Sequence, residues 1–208
     1  MQTETELTGI AGWAVGLMEV LGAPGAGLAV AAENLFPPIP SEVILPLAGL
    51  AASRGDLNLV EVLVWTTLGS LVGAVALYLL GALLGAARLR AIARRVPLLE
   101  VSDIDRTEAW FIRHGPKAVF FGRMLPIFRS LISIPAGVTR LKLWLFALLT
   151  FLGSAIWNSI FVMAGYLLGE NWTVVEPYAD IVQYAVIGGV VILLVVWVVK
   201  RIGQPASL

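Results

Sequence analysis

Four ionisable residues lie inside otherwise apolar stretches, and their types suit chemistry. They are two glutamates, Glu33 and Glu42, and two arginines, Arg123 and Arg129. If these stretches are membrane segments, each charge costs about 2.5–3.5 kcal/mol at the membrane centre on insertion scales. The four groups must therefore face protein or water. Two acids and two bases make a neutral set, so we expect pairing across the two segments that carry them.

The chemistry that these residue types suit is phosphate binding coupled to proton uptake. The planar fork of a guanidinium matches the oxygens of a phosphate monoester. A carboxyl group withdrawn from water can hold a proton near neutral pH, which suits proton coupling. The pattern therefore predicts a head-group site at Arg123 and Arg129, with proton coupling at Glu33 and Glu42. A structural salt-bridge cluster that pins the two segments together is the alternative.

Both segments are interrupted by residues that break helices. On an unbroken helix, Arg123 and Arg129 would point roughly 120° apart. Proline removes a backbone donor and clashes with the preceding turn, so a break lets both side chains turn toward one centre. The same argument applies to Glu33 and Glu42. The predicted hairpin-breaking residues are Pro37, Pro38, Pro40, Gly122 and Pro126.

The composition indicates an integral membrane protein. The 208 residues are 59% hydrophobic and 13% charged, and the mean hydropathy is +0.89. Soluble domains carry about 25% charged residues, and disordered chains are poor in hydrophobic residues. Both classes are excluded. At about 20 residues for each spanning helix, we expect an all-α polytopic protein with a single membrane domain over residues 1–208.

Charge and residue usage exclude several partners. The net charge is zero, so no basic face is available for nucleic acid. The chain has no cysteine and one histidine, His114, which excludes thiolate and multi-histidine metal sites. We therefore expect no metal and no cofactor.

Apolar and polar stretches alternate along the chain and predict its segments. A first helix covers about residues 8–22, and the break at Pro24-Gly25 leads to a second at about 26–34. Whether the first helix crosses the bilayer stays open. The remaining segments are a re-entrant hairpin 26–52, a span 59–87, an amphipathic linker 88–117, a second re-entrant hairpin 118–138, a span 143–168 and a last span 181–199.

The distribution of charges orients these segments. The linker 88–117 has a net charge of +3, and the loop 169–180 has −3. Basic segments stay cytoplasmic, so the linker and the C-terminus are predicted to be cytoplasmic. The hairpin 26–52 then enters from outside and the hairpin 118–138 from inside. Gly188 and Gly189 in the last span would allow close helix contact, so a homodimer is one arrangement that the sequence permits.

An internal repeat accompanies this opposite topology. Leu68-Gly69-Ser70 recurs as Leu152-Gly153-Ser154, 84 residues later. Gly81 matches Gly165 and Leu84-Gly85 matches Leu168-Gly169 at the same spacing; Ala48-Gly49 matches Ala136-Gly137 if the first half carries four extra residues. Two related halves of opposite topology form an inverted repeat, and broken helices in matching places mark a transporter's binding site. Repeat 1 is predicted over about 25–87 and repeat 2 over about 118–169.

Two signatures resemble those of the DedA family of membrane proteins, also called the SNARE-associated or VTT-domain proteins. The first runs from Glu33 through the three prolines to Ser41-Glu42 and is followed by Leu47-Ala48-Gly49. The second runs from Phe121-Gly122-Arg123 through Pro126 to Arg129 and is followed by Ala136-Gly137. The resemblance covers about residues 25–170.

The resemblance implies a fold, a function and site residues. Family members have two facing re-entrant hairpins in an inverted repeat. Several bacterial members are implicated in returning undecaprenyl phosphate across the cytoplasmic membrane, and others in phosphatidylethanolamine translocation or proton-motive-force-dependent resistance. The family's essential acids map onto Glu33 and Glu42, and its essential arginines onto Arg123 and Arg129. In some members the two acids lie further apart and the second is aspartate, so the coupling carries over less directly than the arginines.

We therefore expect a proton-coupled flippase for a polyprenyl phosphate in the bacterial inner membrane, acting in cell-envelope recycling. A phospholipid flippase or scramblase and a proton–cation antiporter are the alternatives. An assembly protein would use the same charges structurally. A lipid phosphatase is disfavoured because such an enzyme is expected to need histidines at the phosphate, and His114 lies outside both hairpins.

Overall fold

A computed structural model describes residues 9–36, 41–93, 101–125 and 128–169. Every regular element in these ranges is a helix. Several predicted features lie outside them: Pro37, Pro38, Pro40, Pro126, the loop 170–180, the last span 181–199 and both of its glycines. The helices are α1 (Gly9–Leu21), α2 (Ala23–Leu35), α3 (Ser41–Ser53), α4 (Leu59–Ala93), α5 (Val101–Gly122), α6 (Phe128–Leu131), α7 (Ser133–Val138) and α8 (Leu143–Leu168).

Two long apolar helices, α4 and α8, are long enough to cross a membrane. α8 has 26 residues and therefore extends about 39 Å. α4 is straight only as far as Gly85, whose φ of 64° and ψ of 168° are not helical. This break lies two residues before the predicted end of the span. Residues 59–84 of α4 thus match the whole of α8 in length, 84 positions apart.

The outward face of these long helices is apolar. Large side chains without partners in the described chain point away from the protein, as expected for a surface in contact with lipid tails. On α4 and α8 the exposed large side chains include Val60, Val64, Leu68, Val72, Leu79, Leu83, Leu148, Phe151, Leu152, Ile156, Ile160 and Leu167.

The first broken segment consists of two short helices. α2 and α3 have 13 residues each, about 20 Å, whereas the hydrocarbon core is about 30 Å thick. α2 begins one residue after Gly22, where φ is 67°. The predicted break at Pro24-Gly25 was therefore wrong by about two residues. Pro24 lies in the first turn of α2, where a missing N–H costs nothing.

The second broken segment begins earlier than predicted. The backbone of α5 breaks at Gly115, where φ is 28°, and Pro116 starts a further short helix that ends at Gly122. A tight turn at Arg123–Leu125 follows, and Arg129 N–H donates to the Leu125 carbonyl across it. α6 and α7 then contain only 4 and 6 residues. This segment is therefore residues 116–138 rather than 118–138.

The short helices pack on the long helices in matching ways. α3 lies on α8, where Gly49 meets the backbone of Val162, and α7 lies on α4, where Gly137 meets the backbone of Tyr78. A Cβ at either glycine would overlap a carbonyl oxygen. Val162 and Tyr78 are 84 residues apart. The reciprocal contacts join Gly165 to Pro46 and Gly81 to Ile134, which are again equivalent positions of the two halves.

The remainder of α5 joins the two halves on one side of the molecule. Before its break at Gly115, this helix carries Asp105 and Glu108, and both carboxylates pair with Arg90 at the end of α4. The N–O distances are 2.7 and 2.9 Å. Phe111 on the same helix is buried with Val119 and Phe146. The predicted linker is thus helical on both sides of residues 94–100 and is held by ion pairs.

Candidate functional site

The centre of the site is a buried ion pair between the two broken segments. Glu33 lies in the last turn of α2 and Arg129 is the second residue of α6. Both side chains are 5% exposed, and Arg129 Nη2 donates to Glu33 Oε2. This pair is the contact expected between the two segments. The hydrogen bond joins two residues that are 96 positions apart in the sequence.

Arg123 is held in a different way. It follows the end of α5 and is 2% exposed. Its Nη1 donates to Asn34 Oδ1 at 3.4 Å and its Nη2 to Ser133 Oγ at 3.1 Å. Its Nε has no partner within the described residues. These partners orient the guanidinium but carry no charge, so within the described chain no carboxylate is in contact with Arg123.

Asn34 was not among the predicted site residues. Its Nδ2 donates to the Val30 carbonyl at 3.0 Å, which fixes the amide, and its Oδ1 faces Arg123 and Ser130. It is fully buried, with Cβ against Gly73 on α4. The signal that could have found it is a polar residue next to Glu33 inside an apolar stretch. Ser130 and Ser133 gave no such signal, because serine is common in membrane helices.

Glu42 occupies the first turn of α3 and is half-buried. It makes no ion pair with any residue that the structure describes. The expectation that all four charges pair was therefore wrong for Glu42. An acid near a helix N-terminus interacts favourably with the helix dipole, which helps a carboxylate there to do without a cation.

Glycines bring the long helices close to this site. A Cβ at Gly153 on α8 would lie 2.9 Å from Arg123 Cβ. On α4, a Cβ at Gly73 would lie 2.7 Å from Asn34 Cβ. Gly122, one of the predicted breakers, is buried against Ile132. The site is thus closed on two sides by backbone, and its charged groups are withdrawn from solvent.

The arrangement suits an anion more than a cation. The site brings together two buried arginines and, within the described chain, one carboxylate in contact with them, Glu33, which pairs with Arg129. A guanidinium with neutral partners offers its charge to an incoming acceptor without first breaking an ion pair. A metal is not suggested, since no group of three or more His, Cys, Asp or Glu occurs among the described residues.

Comparison with known proteins gives matches over most of the chain. The family profile described as "VTT domain" matches residues 39–167. A Lactococcus lactis subsp. cremoris protein named "Alkaline phosphatase-like protein" is 39% identical over 89% of this chain and 90% of the relative. No solved structure shows a significant match.

Other relatives carry a transport name. "Undecaprenyl phosphate transporter A" of Staphylococcus aureus is 32% identical over 81% of this chain and 87% of the relative. The Bacillus subtilis protein of the same name is 31% identical over 78% of this chain and 82% of the relative. Since the family profile covers more than half of the sequence, the chain belongs to the VTT-domain family of membrane proteins, the DedA family.

Proposed function

We propose that this protein translocates a polyprenyl phosphate such as undecaprenyl phosphate across the bacterial cytoplasmic membrane, and that it is not an enzyme. The observation that carries the proposal is Arg123, a buried guanidinium whose contacts in the described chain are all neutral. An unpaired buried charge is costly. A phosphate oxygen is the complementary group, and the two relatives named as undecaprenyl phosphate transporters support this lipid.

The two arginines have different tasks in this proposal. Arg123 receives the phosphate first, because no carboxylate has to be displaced from it. Arg129 joins only when its contact with Glu33 is released. A proton taken up by Glu33 would remove that attraction and free Arg129 for a second phosphate oxygen. Proton uptake and lipid binding are thereby linked through the hydrogen bond between Arg129 and Glu33. In this proposal Glu42 is a second acid that passes the proton to Glu33.

The proposed movement uses an inverted repeat with two re-entrant hairpins. Its support is the reciprocal set of glycine contacts, α3 on α8 and α7 on α4, at positions 84 to 88 residues apart. A second support is the length of α2 and α3, each too short to cross the hydrocarbon core. Rocking of one half against the other would expose the head group to either side, while the isoprenoid tail stays among the lipids.

Placement in the membrane follows from charge. We place the linker 88–117 and the C-terminus in the cytoplasm, because the linker has a net charge of +3. One membrane domain of residues 1–208 then contains both halves and the last span.

A second candidate is a phospholipid flippase or scramblase, favoured by Glu42. Its carboxylate lacks an ion pair within the described residues and could accept the ammonium of phosphatidylethanolamine while Arg123 holds the phosphate. The proton–cation antiporter would use the same acids. It predicts ion flux that does not depend on lipid.

The decisive experiment compares lipid binding and transport in matched variants. Undecaprenyl phosphate and phosphatidylethanolamine are each titrated onto the purified protein and followed by native mass spectrometry, and polyprenyl phosphate uptake is measured in proteoliposomes. We expect Arg123→Ala and Arg129→Ala to lose polyprenyl phosphate binding and uptake. The control Arg54→Ala removes an exposed arginine and should behave as wild type.

Wild-type uptake by both Arg123→Ala and Arg129→Ala would contradict the proposal. Selective binding of phosphatidylethanolamine would favour the second candidate, and ion flux without lipid would favour the antiporter. Release of inorganic phosphate from the lipid would make the protein an enzyme, as the name of the Lactococcus relative suggests for that protein.

A further inference from the structure

Five buried polar residues on the two long helices are not used by the proposed head-group site. α4 and α8 pack together, Asn158 contacts Ser70 across them, and all five residues are less than 5% exposed. We call this set the seam. Its residues are Thr66 and Ser70 on α4 and Thr150, Ser154 and Asn158 on α8.

The two sides of the seam share positions but differ in hydrogen bonding. Thr66 and Thr150 are equivalent residues, 84 positions apart. Thr66 Oγ1 donates to the Val62 carbonyl at 2.7 Å, so its hydroxyl is satisfied by its own helix. Thr150 Oγ1 has no partner within the described chain, although it is fully buried. On α8 the Thr150 hydroxyl therefore still needs a hydrogen-bond partner, whereas on α4 the equivalent Thr66 hydroxyl already has one.

Asn158 increases this difference. Its Nδ2 donates to Ser70 Oγ at 3.1 Å, which fixes the orientation of the amide. Its Oδ1 is then left without a partner in the described chain, as is the neighbouring Trp157 Nε1. The position equivalent to Asn158 on α4 is Ala74, which has no polar side-chain atom. A buried polar atom without a hydrogen bond costs about 1–3 kcal/mol.

The unsatisfied atoms define the ligand by their chemistry. An amide oxygen needs a donor, a hydroxyl can donate and accept, and an indole N–H needs an acceptor. Water supplies both functions, and buried water is the usual partner of such atoms in folded proteins. A cation is disfavoured because the seam contains no carboxylate, and an anion is disfavoured because it contains no cation.

The seam reaches the ion cluster through two glycines. Gly153 lies between Thr150 and Ser154 in sequence and is in contact with the Arg123 side chain. On the other helix, Gly73 follows Ser70 by three residues and is in contact with Asn34, the partner of Arg123. A polar solvent held in the seam would therefore adjoin the cluster that contains Glu33.

We propose that α8 binds buried water at two places about 12 Å apart along the helix, at Thr150 Oγ1 and at Asn158 Oδ1, and that this water supplies the proton path to Glu33. The proton-path part rests on the proposed function, because it requires Glu33 to take up a proton during transport. The water-binding part does not depend on it.

The first test is hydroxyl-radical footprinting of the whole protein in nanodiscs. Radiolysis converts bound water into radicals that oxidise adjacent side chains, and Trp157 beside Asn158 is the reporter. We expect oxidation of Trp157 in the wild type and its loss in Asn158→Leu, whereas Thr150→Val, which changes a residue about 10 Å away along α8, should keep it. The matched control is Thr66→Val, which removes the equivalent but satisfied hydroxyl and should leave Trp157 oxidation unchanged. Equal oxidation in all four proteins would overturn the proposal.

The second test separates water from function. In proteoliposomes, Thr150→Val should lose stimulation of polyprenyl phosphate uptake by a pH gradient and keep wild-type lipid binding, while Thr66→Val keeps both. If Thr66→Val and Thr150→Val lower uptake equally, the seam only holds the helices together and the proton path is wrong. If Arg123→Ala retains binding and uptake, the proposed function fails, whereas the footprinting result still decides the water site.

Discussion

The two halves of the molecule share their backbone contacts and differ in their chemistry. In the first half a short helix crosses α8 at Gly49, and in the second a short helix crosses α4 at Gly137. The broken segment of the first half contributes the acid and the amide of the site, Glu33 and Asn34, whereas that of the second contributes both arginines. A close helix crossing needs only a glycine against a backbone carbonyl, so the same contact can occur in both halves. The side chains at the site bind each other as acid and base, so the two halves must supply different residues.

The contrast extends to the arginines themselves. Arg129 is neutralised by a carboxylate of the other half, and Arg123 is held by an amide and a hydroxyl. Arg129 is therefore bound to the first half by an ion pair, and Arg123 is bound to it by a hydrogen bond to the neutral amide of Asn34. Substitutions should lower stability or lipid binding most at the buried ion pair and least at the exposed ion pairs.

The largest effect should come from breaking the ion pair between the halves. Glu33→Gln leaves a buried arginine that cannot lose its proton, and we expect a loss of about 3–5 kcal/mol of stability. Arg129→Gln should cost less, because an unpaired carboxyl group can become neutral by taking up a proton. Thermal unfolding in detergent measures both, with exposed Glu61→Gln as the control. Wild-type midpoints for both variants would show that the pair does not hold the halves together.

The shared crossings should respond alike to a single methyl group. Gly49→Ala and Gly137→Ala each place a Cβ against a backbone carbonyl, of Val162 and Tyr78 respectively. Overpacking of this kind typically costs about 1–3 kcal/mol. We expect both variants to lower the unfolding midpoint by similar amounts, while Gly16→Ala, which meets no atom within 4 Å, should not lower it. Unequal losses would mean that the two crossings are not equivalent.

A substitution at Asn34 should remove the difference between the arginines. Asn34→Asp gives Arg123 a carboxylate partner, as Arg129 already has. We expect binding of polyprenyl phosphate to weaken by about tenfold or more, which corresponds to about 1.4 kcal/mol. The variant also loses the donor to the Val30 carbonyl, so its thermal unfolding is measured in parallel to show that it stays folded. Native mass spectrometry with Ser133→Ala as the comparison measures the effect, and unchanged binding would mean that the neutrality of Asn34 is irrelevant.

The smallest effect should come from the exposed ion pairs that join α4 to α5. Arg90 is 36% exposed and pairs with Asp105 and Glu108. Exposed pairs of this kind contribute about 0–1 kcal/mol and are screened by salt. We therefore expect Arg90→Gln to shift the unfolding midpoint slightly at low salt and not at high salt. If Arg90→Gln lowered the unfolding midpoint as much as Glu33→Gln does, the exposed pairs would contribute as much stability as the buried pair.

The sequence alone determined the helical fold class, the positions of the breaks and the spacing of the glycines. These features are local: hydrophobic runs predict spans, and some prolines and glycines mark breaks, although Pro46 lies inside α3. The first break lies at Gly22 rather than at Pro24-Gly25, and the second segment begins at Pro116 rather than at residue 118. The predicted spans 59–87 and 143–168 differed in length, and the break at Gly85 shortens the first to residues 59–84, which makes it as long as α8.

Only the tertiary structure decided how the charges divide. In the sequence, Glu33 and Glu42 are equivalent candidates, as are Arg123 and Arg129. In the folded chain Glu33 pairs with Arg129, and Arg123 donates hydrogen bonds to Asn34 and Ser133. Glu42 has no ion pair among the described residues. These contacts join residues up to 96 positions apart. Their geometry depends on how glycine-lined helices cross, and a local sequence pattern carries no information about that distance or orientation.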